Sequence, residues 1–115
     1  MRPPIILDCQ GDLKAFSTPE QALNHTEVID VESGEYQAFD SEGRLLTLGT
    51  GPGGRYGNKR VIFTSVEDPP RHEQELRARL LDFMQRARVS VDPNASLDFL
   101  VSSLAAWSRS VRAGR

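Results

Sequence analysis

A pair of acids are the first candidate catalytic residues of this 115-residue chain. Asp40 and Glu42 are close enough in sequence to act as paired carboxylates in general acid–base catalysis. They flank a predicted turn, however, where acids usually cap backbone N–H groups in water. A carboxylate that caps a turn in water stays ionised, which does not suit a general acid at neutral pH. The pair therefore indicates a turn rather than an active site.

Cys9, His25 and His72 could supply a nucleophile or metal ligands, but their separation matches no metal-ligand spacing. Cys9 lies in an apolar run, where an inert buried thiol is common. The two histidines fall at helix ends, where we expect both to be exposed. A Cys–His catalytic pair remains an alternative. The main prediction is that the chain has no catalytic residue, no metal and no cofactor.

The glycine-rich residues 49–54, GTGPGG, match the G-x-G-x-x-G pattern of dinucleotide-binding loops. Such a loop must leave a strand and open a helix, so that backbone N–H groups face a pyrophosphate. Here the following residues, RYGNKRVIFTSV, are typical of a loop and a strand. The pattern therefore predicts the tip of a β-hairpin. Arg55 and Tyr56 in that tip are candidate partner-binding residues, since both types are frequent in binding hot spots.

Charge is distributed unevenly along the chain, although its net value is only −2. Nine acidic and two basic residues precede Arg44, whereas seven acidic and twelve basic residues occur from that position onward. This asymmetry can steer a charged partner, unless the two halves interleave in space. A pI near 5.6, and a long helix in which acids alternate with bases, argue against a nucleic-acid partner.

The elements that must position these residues are predicted from turn signals and apolar spacing. Residues 28–48 alternate apolar and polar positions, with an extended piece at 28–31 and a hairpin of strands 35–39 and 44–50. Further strands are predicted at 4–9, which Gly11 and Asp12 would end, and at 60–67. A short helix is predicted at 19–25, capped by Ser17 or Thr18, and longer helices at 70–88 and 93–109.

The predicted fold is therefore α+β, in the order β-α-β-β-β-α-α, with helices packed on one face of an antiparallel sheet of about four strands. The whole chain, 1–115, forms a single domain with a core at about 4–88 and a C-terminal amphipathic helix at about 93–109. In the first long helix one apolar face is formed by Leu76, Leu80, Phe83, Met84 and Ala87. In the last helix Phe99 and Trp107 are core candidates, with a homodimer contact as the alternative.

Compartment and partners follow from composition. The longest apolar runs fall short of the roughly 18–20 residues of a membrane span, so we expect no membrane association. The single cysteine excludes an internal disulfide and, with the poor match of the N-terminus to a signal peptide, favours the cytoplasm. The acids at Glu32, Glu35, Asp40 and Glu42 join Arg55 and Tyr56 as the predicted partner-binding residues.

Three motifs carry a family resemblance: IDV at 29–31, GEY at 34–36 and FDSEGRLL at 39–46. With the strand before them and the helix after, residues 4–84 resemble small bacterial proteins suspected of acting as immunity proteins for secreted polymorphic toxins. Residues 89–115 lie outside the resemblance. It implies a protein that binds its cognate toxin stoichiometrically in the producing cell, without catalysis or a cofactor.

Two other classes of function remain open. One is a non-enzymatic adaptor, chaperone or regulatory module, such as a component of a secretion system. It would dock a partner through the C-terminal helix. The other is an enzyme or small-ligand binder that uses the glycine loop or the carboxylates, which would need a deep pocket with convergent polar groups.

Overall fold

The computed structural model describes residues 1–54 and 58–113, the last three without their side chains. In this part of the chain a five-stranded antiparallel sheet has the strand order β2-β1-β3-β4-β5. The elements are β1 (Ile5–Cys9), β2 (Asp12–Phe16), α1 (Pro19–His25), α2 (Val28–Glu32), β3 (Tyr36–Phe39), β4 (Leu45–Gly51), β5 (Arg60–Val66), α3 (Glu73–Arg86) and α4 (Leu97–Ala113). The predicted α+β fold with an antiparallel sheet is confirmed.

The strand β2 is an element that the sequence prediction did not contain. Gln10 and Gly11 both have positive φ, at 54° and 95°, and form a two-residue turn that pairs Cys9 with Asp12. The prediction ended the first strand at this turn without continuing into a partner. The chain instead folds back at once, and β2 becomes one edge of the sheet.

The helix α2 corrects a second expectation, because residues 28–31 were predicted to be extended. Val28 and Val31 are half-buried and three residues apart, as one face of a helix requires. Ile29 lies on the other side and is 68% exposed. The helix packs against β4 and β5, so it lies over the end of the sheet opposite to β2.

Side chains from the two faces of the sheet form two apolar cores. Ile6 and Phe39 point toward the long helices and pack with Leu80 of α3 and Leu104 of α4. Ile5, Leu7, Ala38 and Leu46 point the other way and pack with Ala22 of α1. The long helices thus share one face of the sheet, and the short α1 covers the opposite one.

The helix limits differ modestly from those predicted. α1 has the predicted bounds, and the Thr18 hydroxyl accepts a hydrogen bond from the backbone N–H of Gln21 at 3.2 Å. α3 begins three residues later and ends two residues earlier than predicted, and α4 both begins and ends four residues later than predicted. Trp107 packs edge-on against Phe83 with ring centroids 5.3 Å apart. None of the helices in the described residues is both long and apolar enough to cross a membrane.

Candidate functional site

The turn from Asp40 to Arg44, which we call the Arg44 turn, is organised by one buried carboxylate. Asp40 is 0% exposed. Its Oδ1 accepts the backbone N–H groups of Glu42 and Arg44 at 2.9 and 3.0 Å. Its Oδ2 accepts the backbone N–H of Arg2 at 3.0 Å and the Arg44 guanidinium at 3.3 Å. Asp40 does cap backbone N–H groups as predicted, but the expectation that it does so in water was wrong.

The remaining groups of the Arg44 turn are also paired within the fold. Arg44 contacts the Glu42 carboxylate at 2.6 Å and lies 3.7 Å from that of Asp68. The hydrogen bond that the Arg44 guanidinium donates to Glu42, followed by the one that it donates to Asp40, raises the pKa of Arg44. The carbonyl of Gly43 accepts the backbone N–H of His72, which joins the turn to the start of α3. Asp40 and Glu42 therefore serve the scaffold, and Asp40 is closed to a partner.

A different acidic group lies at the opposite end of β3, about 16 Å away along the strand. Glu35, immediately before β3, lies next to Asp30 at the middle of α2. Hydrogen bonding with the Asp30 carboxylate, followed by the negative charge of that group, raises the pKa of Glu35. The backbone N–H of Glu35 also donates to the carbonyl of Asp30 at 3.0 Å, which fixes the two residues together.

Two neighbouring groups respond to the same negative charge. The pKa of the Cys9 thiol is raised by its burial and then by the charges of Glu35, Asp12 and Asp30. The pKa of Tyr36 is raised by burial and by surrounding acids, which include Asp30 and Glu27. Cys9 and Tyr36 are cross-strand partners on β1 and β3, so the acids surround the end of this strand pair. We call the four carboxylates Asp12, Glu27, Asp30 and Glu35 the acidic end.

The acidic end differs from most other acids of the first half of the chain, because its carboxylates form no ion pair with a Lys or Arg of the described residues. Asp8, Glu32 and Asp40 are each paired with a base, namely Arg79, Lys59 and Arg44. Among the described residues, no Lys or Arg lies within ion-pair distance of the four carboxylates of the acidic end. The two halves of the chain therefore do interleave, but no Lys or Arg of the described residues forms an ion pair with this group of four acids.

An apolar side chain and the flank of the glycine loop adjoin the acidic end. Ile29 follows Val28 on α2 and projects from between Glu27 and Asp30. The Lys59 ammonium, in the flank of the loop, contacts Glu32 at 3.1 Å. Of the predicted partner-binding residues, Glu32 and Glu35 thus lie together, whereas Asp40 and Glu42 lie elsewhere. Arg55 and Tyr56 fall outside the described residues.

A polar cleft opens beside the acidic end on the helical face of the sheet. It has a volume of about 320 Å³, and its lining residues are Asp8, Gln10, Gly11, Gly34, Glu35, Gln37 and Arg79. Arg79 donates to Asp8 at 2.7 Å and to Glu75 at 2.5 Å. Its guanidinium also stacks 5.1 Å above the ring of Phe39. Arg79 and Asp8 are therefore already paired with each other, and Gln10, Glu35 and Gln37 are the other polar side chains that line the cleft.

The structure brings Cys9 close to His25 and leaves His72 elsewhere. Cys9 and His25 both line a small cavity of about 90 Å³, where the Nζ of Lys14 lies 3.3 Å from the His25 ring. The raised pKa of Cys9 disfavours the thiolate that a nucleophile needs. His25 is exposed as expected. His72 is half-buried instead, and it pairs with Glu67 at 2.8 Å.

The glycine loop joins two antiparallel strands, with Gly51 of β4 paired with Arg60 of β5. A dinucleotide-binding loop would lead into a helix, so the prediction of a hairpin is confirmed. No cluster of three or more His, Cys, Asp or Glu side chains suited to a metal occurs within residues 1–54 and 58–113.

Comparison with known proteins finds no matching family model, no matching curated protein and no matching solved structure. The resemblance to immunity proteins therefore stays a prediction. The chemistry of the acidic end has to be judged from its own geometry, which offers uncompensated carboxylates around one exposed aliphatic side chain.

Proposed function

We propose that this protein is an immunity-type protein, which neutralises a bacterial toxin by binding it stoichiometrically through the acidic end. The observation that carries the proposal is the close placement of Glu35 and Asp30, whose backbones are joined by a 3.0 Å hydrogen bond from the Glu35 N–H to the Asp30 carbonyl. Neither carboxylate has a Lys or Arg within ion-pair distance among the described residues. The binding takes place in the cytoplasm of the producing cell, where a toxin has to be held inactive before export.

The physical argument starts from the cost of holding like charges together. Two adjacent negative charges that lack a base repel each other, and an approaching cation removes that penalty. A basic surface on a partner would therefore gain more at the acidic end than at Glu42, whose charge already has Arg44 beside it. Complementary charge also accelerates association and selects against acidic partners.

Ile29 adds an apolar contact to this electrostatic one. Stable protein interfaces combine a desolvated apolar centre with a polar rim. An aliphatic side chain that is mostly exposed and lies among Glu27, Asp30 and Glu32 has this arrangement. A toxin that acts on nucleic acid or nucleotides would fit it, since such enzymes tend to carry basic clefts that an acidic surface can plug.

The first test is whether a neighbouring gene encodes a toxin domain, and the second is the binding of that domain, measured by calorimetry at low ionic strength. Glu35→Lys should weaken binding by about tenfold or more, because it replaces attraction with repulsion at the centre of the interface. Asp82→Lys is the matched control, since it changes the net charge equally on the exposed side of α3. That variant should bind within about twofold of the wild type.

Equal binding by wild type and Glu35→Lys, with both folded, would exclude the acidic end as the interface. Failure of the encoded toxin domain to bind at all, together with capture of a secretion component, would instead support the adaptor alternative. An Ile29→Ser variant separates the two contributions, because it should slow association little and speed dissociation.

A further inference from the structure

An acid that adjoins the acidic end is already occupied by a base of the same chain. The Nζ of Lys59, which directly precedes β5, lies 3.1 Å from a carboxylate oxygen of Glu32, the last residue of α2. The two residues are 27 positions apart in the sequence, so the fold itself brings them together. The ammonium on Glu32 therefore shows which kind of group this surface accepts from another element.

The backbone on both sides of Lys59 is fixed, whereas its side chain is not. The N–H of Gly54 donates to the carbonyl of Asn58 at 2.8 Å, and Arg60 is paired with Gly51 of β4. The Lys59 side chain is 63% exposed. Its flexible four-carbon stem lets the ammonium move away by rotation about its own bonds, without a change in the backbone.

The ion pair can open at little cost to the fold. Glu32 is also well exposed, and a pair between two exposed side chains contributes little to stability. α2 is held on β4 and β5 by the packing of its half-buried face, to which Val28 and Val31 belong. The contact between Lys59 and Glu32 is therefore available for exchange with a base from outside.

We propose that Lys59 is an internal counter-ion of the surface around the acidic end, which occupies Glu32 in the free protein and is displaced when a basic partner binds. A partner with several Lys or Arg side chains replaces Lys59 at Glu32 and also neutralises Asp30 and Glu35. A ligand with a single positive charge has to compete with Lys59 and gains less. The contact thus lowers the affinity for weakly basic ligands and selects strongly basic ones.

This inference deepens the proposed function, and it rests on that function for the identity of the partner. It adds Glu32 to the acids that the partner meets, and it assigns an opposing role to a base of the same chain. In the complex a base of the partner takes the position that the Lys59 ammonium has in the free protein.

The experiment is the binding of an oligolysine peptide of about ten residues to the full chain, measured by calorimetry at about 0.1 M ionic strength. Lys59→Gln should bind the peptide about two- to fivefold more tightly than the wild type, the range that one exposed ion pair can supply. Arg71→Gln is the matched control, because it removes one positive charge from an exposed residue beyond the other end of β5. Screening by salt should keep its effect below about 1.5-fold.

A second background separates displacement from a general change in net charge. In a Glu32→Gln chain Lys59 has no carboxylate to occupy, so the further change Lys59→Gln should improve binding by less than about 1.5-fold. An equal improvement in both backgrounds, or one no larger than that of Arg71→Gln, would overturn the proposal. Failure of the peptide to bind any of these chains would overturn it as well.

The two proposals can fail separately. Tighter peptide binding by Lys59→Gln, in a protein that binds no toxin domain, would support the internal counter-ion and count against the immunity function. A toxin domain whose binding is weakened by Glu35→Lys but unchanged by Lys59→Gln would support the immunity function and overturn the internal counter-ion.

Discussion

The two ends of β3 are both rich in acids, yet they use them in opposite ways. At the Arg44 turn each carboxylate meets a cation or backbone N–H groups, and the central one, Asp40, is buried. At the acidic end Glu35 and Asp30 meet each other. The first set of acids stabilises the fold, whereas the second leaves negative charge available at the surface. Acid content alone does not separate structural from binding residues. Whether an acid stabilises the fold or stays available to a partner depends on the position of the nearest base.

The largest difference between the two ends should appear in their glycines. Gly43 and Gly34 both have positive φ, at 86° and 73°. A Cβ on Gly43 would lie 2.6 Å from the Cα of Glu73, while one on Gly34 would meet nothing within 4 Å. Gly43→Ala should therefore lower the free energy of unfolding by about 2–5 kcal/mol, the sum of backbone strain and overpacking. Gly34→Ala should lower it by only about 1–2 kcal/mol.

Urea denaturation of the two alanine variants provides the measurement. The comparison depends on Gly43 being packed against α3 and Gly34 being open. Equal losses in the two variants would mean that the Arg44 turn is not held against α3.

A smaller but sharper contrast comes from neutralising one acid at each end without changing its shape. Asp40→Asn turns one acceptor into a donor, which then faces the N–H of Arg2 and the guanidinium of Arg44. We expect a loss of about 1–3 kcal/mol in the free energy of unfolding. Glu35→Gln should cause no loss at neutral pH, because it removes a repulsion from Asp30. A destabilised Glu35→Gln variant would contradict the division between the two ends.

The long elements were predictable because periodicity alone defines them. Leu76, Leu80, Phe83 and Met84 are all buried, as their spacing indicated. The errors fell on short elements, where tertiary contacts outweigh local preference. Val28, Ile29 and Val31 are β-branched and favour a strand locally, but packing on β4 and β5 makes α2 a helix.

The strand β2 had a usable signal. Leu13 and Ala15 alternate with Lys14, and a two-residue turn with glycine second precedes them. Gln-Gly is a weaker hairpin signal than Asn-Gly or Asp-Gly, so the turn was interpreted as the end of the first strand and not as the start of a hairpin.

Only part of the candidate site was predicted from the sequence, because α2 was not recognised as a helix. Glu32 and Glu35 were identified from charge, but Asp30 and Glu27 were not. An interpretation of residues 27–32 as a helix would have found them, since positions three apart share one side. The burial of Asp40 could not be read from the sequence, because it depends on Arg2, a residue 38 positions away.

The smallest expected effect is a pH dependence of opposite sign at the two ends. Glu35 has a raised pKa, so between the unfolded pKa near 4.3 and its own higher pKa the folded state keeps a proton that the unfolded chain has lost. Stability attributable to Glu35 therefore falls as the pH rises through that window. Glu67, beside the Arg44 turn, has a pKa lowered by its hydrogen bond with His72. Its contribution is present above about pH 4.3 and is lost as the pH falls through its folded pKa.

Urea denaturation of wild type, Glu35→Gln and Glu67→Gln at a series of pH values from acid to neutral measures both contributions. Relative to the wild type, Glu35→Gln should gain stability as the pH rises, whereas Glu67→Gln should lose it. Because each variant removes a single titrating group, the difference between the two curves isolates the charge state of the two ends from the rest of the protein. Parallel curves would show that Glu35 titrates normally, and the acidic end would then have no uncompensated charge for a basic partner to relieve.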